Sequence, residues 1–337
     1  MEHFIKYVDI HNFKSINHLN LENCKRINLF IGYPNVGKSN VLEALGLFSI
    51  LFLEEDENLN KLLRVENRNE LFYNSLNKLC SISTNFDNRL FDINIDIKDD
   101  LNISLHNNEE EKITFQFSKD LKFTNIDFGG HNMFSFISIL RYIFNQKNNW
   151  KSNGNNYLLP PFGENIIDVL SHNNKNLVDL KVWMKKEFAK FGLEYVLDKS
   201  DNSLKVQKRL GSDEVMQLPY SSIADTLQRL IFYKTAIASN ENSVLLFEEP
   251  EAHAFPPYIR TFTQDVIDAE SNQFFIVTHS PLVVNAFLEY EKLRKETSIY
   301  LFDFKDNQTT AKRLSDEEME LAYEYGDDLF FNLENLL

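Results

Sequence analysis

Apolar and polar residues alternate over Tyr7–Ile10 and again over Ile16–Leu21, a period of two that predicts a short β-hairpin near the start of the chain. Asn28–Ile31 follows a different rule. It is a compact apolar run, the mark of a strand buried on both faces, and it stops at Gly32. Beyond Lys38, residues 39–55 (SNVLEALGLFSILFLEE) are apolar nearly all round and predict a helix packed inside a domain. Leu59–Phe72 is expected to be helical. Residues 80–118 then alternate in strand fashion, broken by Asn, Asp and acid-rich turns, and predict an antiparallel lobe.

Met133–Phe144 predicts a strand or helix entering the core, and Asn145–Asn156 an Asn-rich loop. Pro160, Pro161 and Gly163 precede a helix expected to start near Glu164, with two further helices and a hairpin over Glu194–Lys208. In the last third, Thr226–Ser239 and Tyr258–Ala269 read as helices. Val244–Phe247 and Phe274–Thr278 read as buried strands, Ser298–Phe304 as an edge strand, and Asp316–Tyr325 as an acidic helix. Strand–loop–helix units at both ends, with an antiparallel and helical insertion between them, imply one α/β core assembled from two distant segments. The expected division is 1–130, 131–215 and 216–337: an N-terminal half with the antiparallel lobe, a helical and hairpin insertion, and a C-terminal half.

Composition narrows the partners. A chain of 337 residues that is 43% hydrophobic can bury one large core or two coupled ones. A formal net charge of -15 gives an average field that repels phosphate backbones and anionic membranes. DNA binding would therefore need a local basic patch. Lys181, Lys185, Lys186 and Lys190 read as the solvated face of a helix. Cys24 and Cys80 have neither metal-ligand spacing nor the number for a disulfide framework, which fits a reducing cytoplasm. The opening MEHFIKYVDI lacks the features of a signal peptide, and Val41–Leu53 is too short to span a bilayer. A cytoplasmic protein with no membrane partner is expected.

Only ten glycines occur, which sharpens the reading of Gly32-Tyr33-Pro34-Asn35-Val36-Gly37-Lys38-Ser39. It matches G-x-x-x-x-G-K-[ST], the phosphate-binding P-loop, between an apolar strand and a helix. Glycine lets the backbone wrap a phosphate so that several N–H groups donate at once, and the next helix turns its positive end toward the same anion. Lys38 would meet the β- and γ-phosphates of ATP, and Ser39 would bind Mg²⁺.

Val244–Phe247 ends in Glu248-Glu249-Pro250-Glu251, then Ala252-His253. Two adjacent carboxylates at the end of a buried strand are costly without a cation or proton to share, and a P-loop site supplies the cation. Glu248 is assigned to the Mg²⁺ shell and Glu249 to the water that attacks the γ-phosphate. A second buried strand ends at Thr278-His279-Ser280-Pro281, where His279 would hydrogen-bond the γ-phosphate or that water.

With these motifs in place the chain resembles the ABC-type ATPase heads of the RecF, SMC and OLD (overcoming lysogenization defect) group. Ile10-His11-Asn12-Phe13-Lys14-Ser15-Ile16 is similar to that group's opening strand, whose basic residue, here Lys14, approaches the nucleotide. The likeness continues through Gly32–Asn40, the LPPFGENIIDVL segment, EEPEAHAFP as the Walker B region and FIVTHSP as the His switch. The resemblance implies an α/β P-loop NTPase with a mixed central sheet. Gly32, Asn35, Val36, Gly37, Lys38, Ser39 and Asn40 would hold the nucleotide. It also implies that two heads sandwich two ATP molecules, each site completed by the other's signature segment. Residues 220–230 take that place but contain no glycine, leaving Ser222, Asp225 and Thr226 as candidates.

After Pro281 too few residues follow for the nuclease domain of OLD proteins. The chain thus resembles nuclease-less ATPases of phage-defence systems such as PARIS and Septu. The expected function is an ATPase whose ATP-dependent self-association, as a homodimer or higher oligomer, scaffolds or switches a separately encoded effector such as a nuclease. A RecF-like DNA-repair ATPase is the alternative. A GTPase is a remote third, resting on the P-loop wording and on Asp127-Phe128-Gly129-Gly130 as D-x-x-G, with no base-reading N-K-x-D.

Overall fold

The computed structural model describes residues 4–54, 57–108, 111–129, 138–146, 150–324 and 329–337. Two compact units result. One gathers Met1–Arg141, Asn242–Glu249 and Asn272–Leu337, and the other Tyr142–Glu241 and Pro250–Ser271. These units do not follow the cuts at 130 and 215: the helix Asp225–Ser239, expected in the C-terminal half of the head, lies in the second unit.

The first unit is built on a six-stranded sheet in the order Gln308–Arg313, Thr297–Lys305, Ile27–Gly32, Gln273–Val277, Val244–Glu248, Ile139–Tyr142. Ile27–Gly32 runs parallel to both of its neighbours, and Val244–Glu248 runs parallel to Gln273–Val277. Both faces of these strands are covered, and every residue of Ile27–Gly32 and of Gln273–Val277 is buried. That is why they read as unbroken apolar runs rather than alternating ones. Phe30 anchors the centre, its ring 5.8 Å from Phe275, 5.7 Å from Tyr300 and 4.9 Å from Phe302. A second, antiparallel sheet has seven strands in the order Ile16–Glu22, Tyr7–Phe13, Cys80–Phe86, Arg89–Ile97, Leu101–Asn107, Lys112–Phe117, Phe123–Asp127. Alternate residues such as Ile82, Ile93, Ile103 and Phe115 enter the same core as the buried face of the P-loop helix.

Three expectations need correction here. The helix over residues 39–55 is α-helical only over Lys38–Gly46 and tightens to 3₁₀ winding over Leu47–Phe52. The change falls at Gly46, a poor helix former, where a Cβ would sit 2.7 Å from Cδ of Arg141. Leu59–Phe72 forms no α-helix. It makes two single 3₁₀ turns, Leu59–Lys61 and Arg68–Leu71, each started by an asparagine (Asn58, Asn67) that accepts from the backbone N–H two residues on. Asparagine side chains compete there with helical hydrogen bonding. Finally, Thr297–Lys305 is not an edge strand. It continues through Asp306 and Asn307, both at positive φ (52° and 62°), into the edge strand Gln308–Arg313.

The second unit holds the helices Ile166–Ser171, Lys175–Ala189, Asp225–Ser239 and Pro256–Asp268, and an antiparallel sheet of Glu194–Asp198, Ser203–Arg209 and Val215–Pro219. One helix, not two, follows Ile166–Ser171 before the hairpin, and the hairpin gains a third strand. Of the segment Met133–Phe144, the described part contains the strand Ile139–Tyr142, while 133–137 lie outside the described residues, as do 147–149 of the Asn-rich loop.

Candidate nucleotide site

The P-loop is held from behind by side chains that leave no room for anything larger than glycine. Gly37 has φ 97°, and a Cβ there would lie 2.0 Å from Oγ1 of Thr309 and 2.8 Å from Oγ of Ser15. At Gly32 a Cβ would lie 2.4 Å from the carbonyl oxygen of Phe302. The backing is hydrogen-bonded: the Ser15 and Thr309 hydroxyls are 2.6 Å apart, and the Thr309 N–H donates to the Ser15 carbonyl at 2.9 Å. Asn40 donates its amide to Ser15 Oγ at 2.7 Å, so it ties the P-loop helix to the N-terminal hairpin. Asn35 supplies a second left-handed position at φ 64°, and Val36 is buried beneath the loop. The Lys38 ammonium lies across its own loop, donating to the carbonyls of Gly32 at 2.8 Å and Tyr33 at 2.7 Å.

Parallel register brings the other motifs to the same end of the sheet. Glu248 pairs with Val277, and Val277 with Phe30, so the acidic pair, the histidine and the P-loop all leave the sheet side by side. Ser39 Oγ donates to Glu248 Oε1 at 2.6 Å. The other Glu248 oxygen accepts from Arg141 at 3.1 Å and from Arg64. Burial pushes the Glu248 carboxyl up, but hydrogen bonds from Arg64 and Ser39 and the charge of Arg141 outweigh it, and its pKa ends below the usual glutamate value. Burial likewise lowers Lys38, against the charges of Glu249 and Glu248, to about 8.

Sequence reasoning did not find the ion network beneath this pair. Glu43, on the buried side of the P-loop helix, pairs with Lys14, with Arg64 at 3.5 Å and with Arg141 at 3.7 Å. Lys14, expected to approach the nucleotide, thus has its ammonium on Glu43 and on the Arg64 carbonyl at 3.0 Å. Burial lowers its pKa, with the Glu43 charge opposing. The signals were faint: one acid in an apolar helix, and one arginine in the apolar run Ile139–Ile143.

Glu249 turns away from this network. Its backbone is left-handed at φ 44°, its N–H donates to the Val277 carbonyl at 2.9 Å, and its carboxylate lies 3.5 Å from Nε2 of His279. Both side chains stay open to solvent, 48% and 39% exposed. The His279 pKa is lowered, first by burial, then by the charge of Lys38, with Glu249 opposing.

Ser222, Asp225 and Thr226 belong to the second unit. Ser222 is exposed in a 3₁₀ turn, Tyr220–Ser222, just before the helix Asp225–Ser239. Asp225 accepts from Gln146 at 2.7 Å and from Arg229 at 2.8 Å, and Thr226 donates to the His253 carbonyl at 2.6 Å. Asp127, of the D-x-x-G reading, ends the strand at the edge of the antiparallel sheet opposite Ile16–Glu22, and Gly130 lies outside the described residues.

The donor set fits the groups that the motifs imply. A serine hydroxyl and a carboxylate oxygen side by side suit a hard divalent cation, and a lysine with a glycine-shaped loop suits a polyphosphate. Residues 27–285 match the protein-family model described as "AAA domain, putative AbiEii toxin, Type IV TA system". The chain belongs to this family. Its members are P-loop ATPases, and nucleotide binding follows.

Among solved structures the chain is similar to an SMC head bound to the C-winged helix domain of ScpA, with TM-score 0.52 and 14% identity over 94% of this chain and 99% of that one. It is also similar to an SMC head domain with an extended coiled coil bound to the C-terminal domain of ScpA from Pyrococcus furiosus, with TM-score 0.53 and 10% identity over 96% and 100%. The fold is therefore that of an SMC/ABC-type ATPase head, with a mixed sheet and an antiparallel lobe. A curated relative, protein ea59 of Escherichia phage lambda, is 32% identical over 90 residues, and the match spans only 17% of that protein's length. No helix among the described residues is long and apolar enough to cross a membrane.

Proposed function

We propose that this family member binds Mg²⁺–ATP, hydrolyses it, and uses ATP-dependent self-association to switch or scaffold a separately encoded effector in bacterial anti-phage defence. The observation that carries the catalytic part is the convergence of Lys38, Ser39, Glu248, Glu249 and His279 on one end of one sheet, from segments some two hundred residues apart. Lys38 exchanges the carbonyls of Gly32 and Tyr33 for phosphate oxygens. Ser39 and Glu248 would hold the magnesium ion, which would supply charge neutralisation at the phosphates. Glu249, next to the magnesium ligand but not committed to Arg64 or Arg141, accepts the proton of the attacking water. His279 donates to the γ-phosphate or orients that water.

Ser222, Asp225 and Thr226 are the segment offered to a partner head. The Arg229 guanidinium on Asp225 offsets the charge that would repel a phosphate. The family's description as a putative toxin of a type IV toxin–antitoxin system supports a role in defence, of the kind served by PARIS- or Septu-like ATPase subunits.

The test is light scattering of the Glu249→Gln variant with and without ATP, with Lys38→Ala as control, followed by co-purification with products of adjacent genes. An ATP-dependent rise in mass, absent from Lys38→Ala, is expected. A mass indifferent to ATP, with no co-purifying partner, would overturn the switching role.

A further inference from the structure

The N-terminal hairpin carries, on the face turned away from the core, a group of side chains that the nucleotide site does not use. His11 and His18 stand directly opposite each other across the strands Tyr7–Phe13 and Ile16–Glu22, and Asp9 lies two residues before His11 on the same face. The two imidazoles stack with centroids 4.1 Å apart and planes 8° from parallel. Both present Nε2 to one carboxylate: His11 Nε2 is 3.1 Å from Asp9 Oδ2, and His18 Nε2 is 2.9 Å from Asp9 Oδ1.

We propose that Asp9, His11 and His18 bind a divalent cation of the zinc class. One ligand atom from each of the three residues falls in a group within 4.8 Å of one another. Zinc takes imidazole nitrogen and carboxylate oxygen at about 2.0–2.2 Å, so donors of a tetrahedral site are spaced by roughly 3.3 Å. Rotamer adjustments of these half-exposed side chains cover that difference. The backbone does not have to move, because continuous pairing from Tyr7↔Glu22 to His11↔His18 fixes the three Cα positions. A purely structural carboxylate–histidine contact would need one imidazole. Here two imidazoles converge on the same carboxylate. A bound cation uses both rings in their neutral form and satisfies the carboxylate as well.

The chemistry separates this site from the P-loop. Two imidazoles and one carboxylate favour zinc, nickel or cobalt, whereas the oxygen donors Ser39 and Glu248 suit magnesium. The positions opposite Asp9 and His11 on the strand Cys80–Phe86 are Ser83 and Ser81, and Asn20 faces Asp9 on the other side, so those neighbours bring no competing positive charge.

Calorimetric titration of chelator-stripped, tag-free chain with ZnCl₂ tests the site. We expect one Zn²⁺ per chain, not displaced by millimolar Mg²⁺ and unaffected by Glu248→Gln. His11→Gln and His18→Gln should each weaken binding tenfold or more, and the double variant should abolish it. Substitution with Co²⁺ should give the visible absorption of a low-coordinate nitrogen–oxygen site. Should the variants fold poorly, nitrogen NMR of the unaltered chain decides, because Zn²⁺ should shift the ring nitrogens of two of its histidines. Absence of stoichiometric binding at about 100 μM Zn²⁺, retention of zinc by the double variant, or no shifted ring nitrogens would overturn the site.

Discussion

The Ser39 hydroxyl donates to Glu248 across 2.6 Å although 209 residues separate the two in the chain. The bond fixes the hydroxyl beside the carboxylate before any cation arrives, so a magnesium ion would find two of its oxygen ligands in place. Ser39→Ala should therefore raise the Mg²⁺ concentration needed for half-maximal ATPase activity by roughly tenfold to a hundredfold, as loss of a supporting metal contact does. Metal-free nucleotide binding should change little. A magnesium titration of activity beside an EDTA-treated binding assay reads both, and an unchanged magnesium midpoint would remove Ser39 from the metal shell.

Glu249 and His279 lie 3.5 Å apart, beside the arginine network that holds Glu248. Glu249→Gln should bind ATP but turn it over about 10²-fold slower or worse, the usual cost of removing a general base. His279 has a separate signature. Burial and the neighbouring Lys38 charge lower its pKa, so the neutral ring persists to more acidic pH than an ordinary histidine allows. Its protonation should therefore appear in kcat/KM below pH 6.5, the ordinary value, and not above it. In His279→Asn that acid limb should vanish. An acid limb centred near neutrality would refute the assignment.

The motifs that were readable in the sequence share one property: each is local. Gly32–Ser39, Glu248-Glu249 and His279 follow an apolar run directly, and a parallel sheet places the ends of such runs together. What stayed hidden was long-range. Arg141 reaches Glu248 over 107 residues and Arg64 reaches it over 184, and neither separation leaves a trace in a window of neighbours. Leu59–Phe72 failed for the opposite reason. Its asparagine side chains bonded to nearby backbone N–H groups and prevailed over an apolar spacing that otherwise fits a helix. Asp306-Asn307 is a turn signal between two strands, and the turn it makes brings Thr309 behind Gly37.

Arg141 and Arg64 both touch Glu43 and Glu248, yet they should behave differently when removed. The Arg141 side chain is 2% exposed and that of Glu43 1%, so Arg141→Met leaves buried carboxylates short of a counter-charge. A loss of about 3–5 kcal/mol is expected. Arg64, 63% exposed, should cost no more than about 1 kcal/mol on truncation to alanine. Denaturant unfolding of the two variants makes the comparison. Equal losses would show that the network is not organised around the buried guanidinium.

Cys24 offers a probe of how the C-terminal hairpin docks on the N-terminal one. Its thiol donates to the Leu21 carbonyl at 3.8 Å and accepts from the Tyr300 hydroxyl at 3.4 Å, and Tyr300 also donates to the Glu22 carbonyl at 2.7 Å. Burial pushes the Cys24 thiol from 9.0 up to about 12, with the Tyr300 hydrogen bond and the Arg313 charge opposing. A higher pKa means less thiolate at any pH below it. Alkylation at pH 8 should thus be on the order of a thousandfold slower than for a free thiol, and fast once the chain unfolds. Tyr300→Phe removes a hydrogen bond that favours the Cys24 thiolate, so it should slow labelling of Cys24 still more and leave Cys80, buried in the antiparallel lobe, unchanged. The same hairpin carries Thr309 behind Gly37. A nucleotide that orders the P-loop should therefore slow Cys24 labelling further, and mass spectrometry of the alkylated peptides measures all three effects.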